Sequence, residues 1–407
     1  MPIVRDPSRA RVTGPLQSYA PGFVAELARL GYTGNSASGQ MFVMAHLSRW
    51  LAGEGLDAAG LTPEAAQRFL ADRRAAGYTL YLSPKALAPM LAYLRGVGAV
   101  LVPPRPAPAT AAEMLLDRYQ RYLITERGLA VTTARGYADM VRPFLAEREK
   151  AGGLDLARLT AAEITAFVLA ACPGRPKGSA KLTVTALRSL LGFLHVEGQI
   201  SEPLGQAVPA VASWSLAGLP RALEPGQVAA LLASCDRDTG TGRRDFAMLT
   251  LLARLGLRAG EVAALTLDDI DWRAGELTVR GKGSRSERLP LPADAGEAIA
   301  GYLRDGRPEP FEEARQVFLR ARAPHAALTT GGVSQAVFSG GRRAGIGPVH
   351  AHRLRHSAAV GMLRAGAPLT EIGQVLRHRR LLSTAIYAKA DTEALRALAR
   401  PWPGGAR

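Results

Sequence analysis

The sequence predicts a mainly α-helical protein with one small β-sheet, which is the α+β fold class. Two blocks before residue 205 contain amphipathic helix patterns with recognisable helix starts. A third block is also helical except at "ELTVRGKGSRSERLPLP" (276–292), where apolar and polar residues alternate on both sides of a glycine-rich turn. That alternation is typical of a β-hairpin. Because strands and helices do not alternate along the chain, the pattern favours α+β over α/β.

Two stretches with scattered proline and glycine, 102–110 and 205–225, divide the chain into three blocks. Proline cannot continue a helix, and neither stretch has a helical or strand period. We therefore predict three domains, 1–101, 110–205 and 223–407. A length of 407 residues is compatible with that number.

The first two blocks resemble copies of one unit. "GLDAAGLTPEAAQRFL" (55–70) and "GLDLARLTAAEITAFVL" (153–169) share Gly-Leu-Asp, Leu-Thr and Phe at a constant offset of 98 residues. In each, a threonine precedes a glutamate of the first helical turn, which predicts Thr62 and Thr160 as N-caps. Each block is then predicted to be a bundle of about four helices.

Basic residues exceed acidic ones, with 51 Lys and Arg against 35 Asp and Glu and a net charge of +16. This excess favours a polyanionic partner such as nucleic acid, because cations near phosphates release condensed counterions. An arginine-rich genomic composition would give the same excess, so charge alone leaves both explanations open. Two separated cysteines fit a reducing compartment. With no apolar run of ~20 residues and no apolar signal segment, we expect a cytoplasmic protein without a membrane partner.

The stretch "HAHRLRHSAAVGMLRAG" (350–366) concentrates three of the seven histidines of the chain. His352 and His356 have the i, i+4 spacing that zinc sites use on helices. However, Arg353 stands where the zinc motif has its glutamate, and Arg355 would repel a cation. We therefore predict no metal and no cofactor.

The same stretch suits a phosphate better than a metal. His352 and Arg355, three residues apart, share a helix face; arginine fits two phosphate oxygens, and histidine titrates near neutrality. Breaking a phosphodiester also needs further cations, a nucleophile and an acid for the leaving oxygen. The third block supplies such residues at Arg258, Lys282, His378 and Tyr387.

Three motifs in the third block resemble the sequence boxes of the tyrosine recombinase (phage integrase) family. The motifs are "GLRAGEVAALTLDDID" (256–271), "HRLRH" (352–356) and "VLRHRRLLSTAIY" (375–387). They keep the family's order and spacing, which includes an acidic residue three after the first Arg and a His nine before the Tyr. The resemblance spans about residues 110–398. It implies an integrase-type catalytic domain behind SAM-like helical bundles.

The resemblance implies a role for each matched residue. Tyr387 would attack the scissile phosphate and form a 3′-phosphotyrosyl link. Arg258 and Arg355 would bind the non-bridging oxygens, and His378 would add a hydrogen bond to the same charge. Lys282, at the tip of the hairpin, would protonate the 5′-hydroxyl leaving group.

The remaining motif residues have supporting roles in this prediction. His352 would assist proton removal from the tyrosine. Glu261 would brace Arg258, although an ordinary surface glutamate remains the alternative. His356 is expected to pack or stabilise its helix.

Four further arginines near these motifs are predicted to contact DNA, and one of them departs from the family pattern. Family members usually have a glycine immediately before the last-box histidine, whereas this chain has Arg377. A second departure is Leu255, where a small residue is common. The predicted DNA contacts are Arg280, Arg285, Arg377 and Arg379.

The sequence therefore predicts a site-specific DNA recombinase or integrase, serving a mobile element. Its expected partners are a double-stranded recombination site and further copies of itself, as a dimer or tetramer on DNA, with possible partner recombinases. Residues 110–205 would grip DNA, and 1–101 would touch DNA beyond the crossover site or a neighbouring protomer. The tail after Tyr387 would dock on a neighbouring subunit or fold back on its own domain. A catalytically idle DNA-binding protein and a type IB topoisomerase are the alternatives.

Overall fold

The computed structural model describes residues 6–102, 108–150, 154–211, 222–281, 286–309, 314–378 and 382–390. The chain divides into two compact units, one comprising 1–103 with 218–407 and the other comprising 104–217. Helices predominate in both, and one small sheet lies in the first. The predicted fold class is therefore confirmed. Within the described ranges, no helix is both long and apolar enough to cross a membrane.

Four α-helices follow one another in the described part of the N-terminal block, around their own core of buried side chains that includes Phe23, Met44 and Phe69. Thr62 is the N-cap of the third helix, as predicted, and its hydroxyl accepts a hydrogen bond from the Ala65 N–H. The helices are α1 (Ala20–Arg29), α2 (Gly34–Gly53), α3 (Pro63–Ala75) and α4 (Pro84–Gly96).

The second compact unit also contains four α-helices in its described residues, packed around Tyr119, Phe144 and Leu190. Thr160 caps its third helix, and the Glu163 carboxylate accepts a hydrogen bond from the Thr160 N–H in return. This reciprocal pair is the arrangement that the sequence predicts. The helices are α5 (Ala111–Thr125), α6 (Val131–Lys150), α7 (Ala161–Ala171) and α8 (Lys177–Val196).

The C-terminal block surrounds a larger core and carries the motifs singled out above. Its buried side chains include Met248, Leu277 and Phe318. A smaller cluster contains Leu376 and Tyr387. The helices are α9 (Pro225–Ala233), α10 (Gly240–Leu255), α11 (Ala259–Ala264), α12 (Ala293–Asp305), α13 (Thr330–Arg343), α14 (Ala351–Arg364), α15 (Leu369–Val375) and α16 (Leu382–Ala385).

The sheet is antiparallel and consists of β1 (Ile270–Asp271), β2 (Glu276–Arg280) and β3 (Ser286–Pro290) in that order. Strands β2 and β3 form the predicted hairpin, with Leu277 opposite Leu289. Both leucines are buried, because residues directly opposite each other on paired strands lie on the same face of the sheet. The two-residue strand β1 was not predicted from the sequence.

A glycine separates α10 from α11. Gly256 has a left-handed backbone (φ +57°), which costs an L-residue but not glycine. A β-carbon at this position would also lie 2.6 Å from Leu376 Cδ2, and the Leu376 side chain is fully buried. The glycine therefore allows a close approach between the α10–α11 connection and the turn after α15.

We expect Gly256→Ala to destabilise the C-terminal block more than Gly275→Ala. Both positions have positive φ, so both variants lose about 1–2 kcal/mol through the backbone. Only Gly256 adds overpacking, of about 1–3 kcal/mol, since no atom lies within 4 Å of a β-carbon at Gly275. Scanning calorimetry of the full chain would measure the two melting temperatures, and equal decreases would contradict the packing argument.

Candidate active site

Three of the predicted site residues lie on one face of helix α14. It begins after His350, whose backbone is extended, and runs without interruption to Arg364. His352, Arg355 and His356 have the i, i+3 and i, i+4 spacings that place side chains on the same face. The rings of His352 and His356 are accordingly 4.4 Å apart, between centroids.

Arg355 is buried, with 2% of its surface exposed, and it joins two distant parts of the chain. Its Nη1 donates to the Gly256 carbonyl at 2.6 Å, and its Nη2 donates to the Leu376 carbonyl. Burial, followed by the charges of Arg258 and Arg377, lowers the pKa of Arg355 to about 10. The guanidinium is still protonated at neutral pH.

Tyr387 lies in a 3₁₀ turn, Ile386–Ala390, directly after α16. Only 1% of its surface is exposed, and its hydroxyl lies 2.9 Å from Nδ1 of His356. Its ring is stacked with that of His378, with centroids 6.2 Å apart and planes 9° apart. Burial raises the pKa of Tyr387, while the charge of Arg355 opposes that rise. The hydroxyl is therefore protonated and held inside the domain.

The three histidines of the cluster carry no charge in their resting state. Burial, followed by His352 and then Arg355, lowers the pKa of His356 to about 4. Burial, with Arg355 as the next cause, lowers the pKa of His378 to about 4. The pKa of His352 is lowered by burial and then by Arg355 and Arg258. All three imidazoles are therefore neutral at pH 7 and able to accept a proton.

Glu261 connects two arginines from different parts of the chain. Its carboxylate accepts from the Arg258 N–H at 2.8 Å, from Arg258 Nη1 at 2.6 Å and from Arg377 Nη2 at 2.7 Å. Burial raises the pKa of Glu261, but the Arg258 N–H and the two guanidinium groups outweigh it and hold that pKa below its ordinary value. The predicted contact between Glu261 and Arg258 is thus present.

The structure brings most of the predicted site residues into one cluster. Each has a contact or an electrostatic interaction with another member. These residues are Arg258, Glu261, His352, Arg355, His356, Arg377, His378 and Tyr387. Lys282, Arg285 and Arg379 lie outside the described residues, as does the tail after residue 390.

Two of the predicted DNA contacts lie in the described chain, and they differ in accessibility. Arg280 ends β2 with 55% of its side chain exposed, and its Nη2 lies 2.8 Å from Oδ1 of Asp269. Arg377 has only 4% of its side chain exposed and is bound to Glu261. This position does not fit the predicted DNA contact of Arg377, because its guanidinium is enclosed within the domain.

Besides the Arg377–Glu261 pair, two further contacts at the site were not anticipated from the sequence. His356, expected only to pack, is the histidine whose ring nitrogen meets the Tyr387 hydroxyl. Thr384, from the "ST" pair of the last motif, is buried with its hydroxyl 2.7 Å from Nδ1 of His378. This contact leaves Nε2 as the nitrogen of His378 that is available to a ligand. The small polar pair before the tyrosine was the signal for it.

The chemistry of the cluster suits an anion. Its charged side chains are three arginines and one carboxylate, and its histidines are neutral. Throughout the described ranges, no group of three or more His, Cys, Asp or Glu side chains is arranged to hold a metal ion. Among the three arginines of the cluster, Arg258 is the one that reaches solvent, with 45% of its side chain exposed.

Comparisons with known proteins place the chain among DNA recombinases. Residues 221–394 match the model of the phage integrase family, and residues 116–198 match the phage integrase N-terminal SAM-like domain. The chain is 43% identical over 406 residues to the putative integrase/recombinase y4rA of Sinorhizobium fredii, covering 97% of this chain and 96% of the relative. It is 32% identical to the tyrosine recombinase XerD of Listeria monocytogenes, covering 67% of this chain and 93% of the relative.

A solved structure agrees with the fold. The XerH site-specific recombinase bound to palindromic difH in a post-cleavage complex has a TM-score of 0.60 and 18% sequence identity. The match covers 74% of this chain and 99% of XerH. At that identity the likeness bears on the fold alone.

Lowering the pH should reduce the stability that His356 gives to the folded chain. The pKa of His356 is about 4 in the folded chain and has its ordinary value of 6.5 when unfolded, so the folded chain binds fewer protons between those values. Stability is therefore lost as the pH falls through 6.5 towards 4. We expect the melting-temperature advantage of the wild type over His356→Gln to shrink across this window in scanning calorimetry.

The matched control is His350→Gln, an exchange at an exposed residue that precedes the same helix. It reports the effect of losing an imidazole outside the cluster. An advantage over His356→Gln that grows as the pH falls would contradict the buried, neutral state of His356.

Proposed function

The chain belongs to the phage integrase family of tyrosine recombinases, and from that premise we propose that it cleaves and rejoins DNA strands through a phosphotyrosyl intermediate at Tyr387. The observation that carries this proposal is that Arg258, Arg355 and His378 lie close enough to interact, and that Arg355 and His378 also lie beside the buried tyrosine. Their charges and hydrogen-bond donors match what the transition state of phosphodiester cleavage requires, because negative charge develops on the non-bridging oxygens.

The proposed reaction conserves the energy of the phosphodiester. The Tyr387 oxygen attacks phosphorus and forms a 3′-phosphotyrosyl bond, while the bond from phosphorus to the 5′-oxygen breaks. Arg258, Arg355 and His378 stabilise the charge on the non-bridging oxygens. Lys282 protonates the leaving 5′-oxygen. Attack of a 5′-hydroxyl on the phosphotyrosine then reverses these steps, so no external energy source is needed.

The nucleophile has to lose a proton and change position in this scheme. A residue with 1% exposure cannot touch the phosphate of a duplex outside the domain. We propose that DNA binding draws Tyr387 outward and that His352 accepts its proton. The neutral state of His352 makes it competent as an acceptor. His356 holds the hydroxyl before that movement.

The remaining parts of the chain fit a DNA-bound assembly. We propose residues 110–205 as the domain that grips DNA opposite the catalytic domain, 223–407, and residues 1–101 as an additional module on flanking DNA or a neighbouring protomer. The working form is a dimer or tetramer on a double-stranded recombination site, in the cytoplasm. We propose that the protein acts for a mobile element, with possible partner recombinases. The tail after Tyr387 is proposed to link the subunits.

We expect the wild type to become covalently attached to DNA at specific sites and Tyr387→Phe not to. The phenylalanine lacks the oxygen that would bond to phosphorus. Protein expressed in cells would be recovered under denaturing conditions, and the DNA that remains attached would be sequenced. Recovered sites would then serve as nicked substrates that trap the intermediate.

Tyr302→Phe is the matched control because it removes a hydroxyl from another fully buried tyrosine of the same block. It should still form the adduct. Adduct formation by Tyr387→Phe would show that another residue is the nucleophile. Sequence-specific binding without any adduct in the wild type would favour the idle DNA-binding alternative.

A further inference from the structure

One short turn, residues 376–378, contacts or contains each of the three residues that are proposed to bind the phosphate. The Leu376 carbonyl accepts from Arg355, and the Arg377 carbonyl accepts from Arg258 Nη2 at 3.4 Å. The next residue is His378, whose N–H donates to the Gly373 carbonyl at 2.9 Å. The position of this turn therefore determines how Arg258, Arg355 and His378 are arranged relative to one another.

The Arg377 side chain fastens this turn to α11. Its Nη2 donates to Glu261 at 2.7 Å, and its Nη1 donates to the Val375 carbonyl at 2.9 Å. Both partners of the ion pair are enclosed, with 4% and 5% of their side chains exposed. The backbone of Arg377 is left-handed (φ +54°), a conformation that glycine adopts more readily. An arginine at this position therefore carries a backbone cost that glycine would avoid.

The second guanidinium also changes the charge that a phosphate would meet. Without Arg377, the Glu261 carboxylate would form a neutral pair with Arg258, its i−3 neighbour. With Arg377, the two arginines share one carboxylate and the group has a net charge of +1. Arg377 is enclosed and Arg258 is not, so the surplus charge is presented to solvent by Arg258.

We propose that Arg377 is a positioning residue that neutralises Glu261, so that Arg258 keeps its positive charge for the DNA phosphate while still being braced. The proposal rests on the proposed function, because it assigns the phosphate to Arg258. Arg377 itself touches no substrate in this scheme. It acts on the transition state through Glu261 and Arg258.

A set of four variants separates charge compensation from simple structural support. Arg377→Met removes the charge and keeps an unbranched apolar side chain, and Arg377→Lys keeps the charge. Glu261→Gln removes the carboxylate charge, alone and together with Arg377→Met. Arg364→Met is the matched control, because Arg364 forms an exposed ion pair with Glu224 outside the cluster.

The first readout is the single-turnover rate of adduct formation on a nicked substrate, with DNA affinity measured in parallel. We expect Arg377→Met to slow cleavage by about 10- to 100-fold, as loss of a supporting partner does at other sites. DNA affinity should change by a smaller factor than the rate, since the negative charge on the non-bridging oxygens that Arg258 meets grows in the transition state. Arg377→Lys should retain most of the rate, and Arg364→Met all of it.

The double variant gives the decisive comparison. If Glu261 suppresses Arg258 when Arg377 is absent, Glu261→Gln combined with Arg377→Met will cleave faster than Arg377→Met alone. A purely structural role predicts the opposite, because two lost contacts weaken the turn more than one. The proposal would be overturned if Arg377→Met cleaved at the wild-type rate, or if Arg377→Met and Arg377→Lys lost the same fraction of that rate. It would also be overturned if the double variant cleaved more slowly than Arg377→Met.

A second readout does not depend on the nucleophile. Vanadate mimics the phosphoryl group in the transition state. It should raise the melting temperature of the Tyr387→Phe variant but not that of the double variant Tyr387→Phe, Arg377→Met. Equal stabilisation of the two, or none in either, would overturn the role of Arg377. A wild type that binds vanadate but forms no adduct would instead refute only the proposed cleavage activity.

Discussion

The buried guanidinium of Arg355 holds together three segments of the C-terminal block that are distant in sequence. It donates to the Gly256 carbonyl, 99 residues before it, and to the Leu376 carbonyl, 21 residues after it. A buried donor left without its acceptor costs about 1–3 kcal/mol, and more when the donor is charged, as a guanidinium is. Both carbonyls are therefore required where they are, and Gly256 and the turn after α15 are fixed relative to α14. The positions of Arg258 and His378 follow from that constraint.

The electrostatics of the cluster follow from the same burial. Three guanidinium groups surround a region that contains one carboxylate, so adding further positive charge is unfavourable. Burial and these cations hold His352, His356 and His378 in their neutral forms. An anion would relieve the repulsion among the arginines and would raise the basicity of the histidines. The cluster is thus arranged so that its acid–base groups respond to the arrival of a phosphate.

The sequence predicts those parts of the fold and the site that depend on local signals. The helix starts at Thr62 and Thr160, the glycine break at Gly256 and the hairpin all depend on residues within a few positions of each other. The spacing of the motifs also predicts which residues converge, although no distance is implied. What the sequence does not reveal is pairing across long separations: Arg377 meets Glu261 across 116 residues, and Tyr387 meets His356 across 31. Arginine is usually exposed, so a buried role for Arg377 contradicts the ordinary expectation for its residue type.

The position of Tyr387 adds a constraint that composition and spacing do not contain. Its hydroxyl lies beside neutral His356, in surroundings that raise its pKa, so it stays protonated there. Arg355 and the turn that contains Arg377 fix the arrangement of the arginines that are proposed to bind the phosphate. The tyrosine lies on a short turn after α16 and packs in the same small cluster as Leu376, which belongs to the 376–378 turn. In the proposed reaction, a phosphate would meet cations that are already in place, whereas Tyr387 would have to leave its contact with His356, so that DNA binding would precede cleavage.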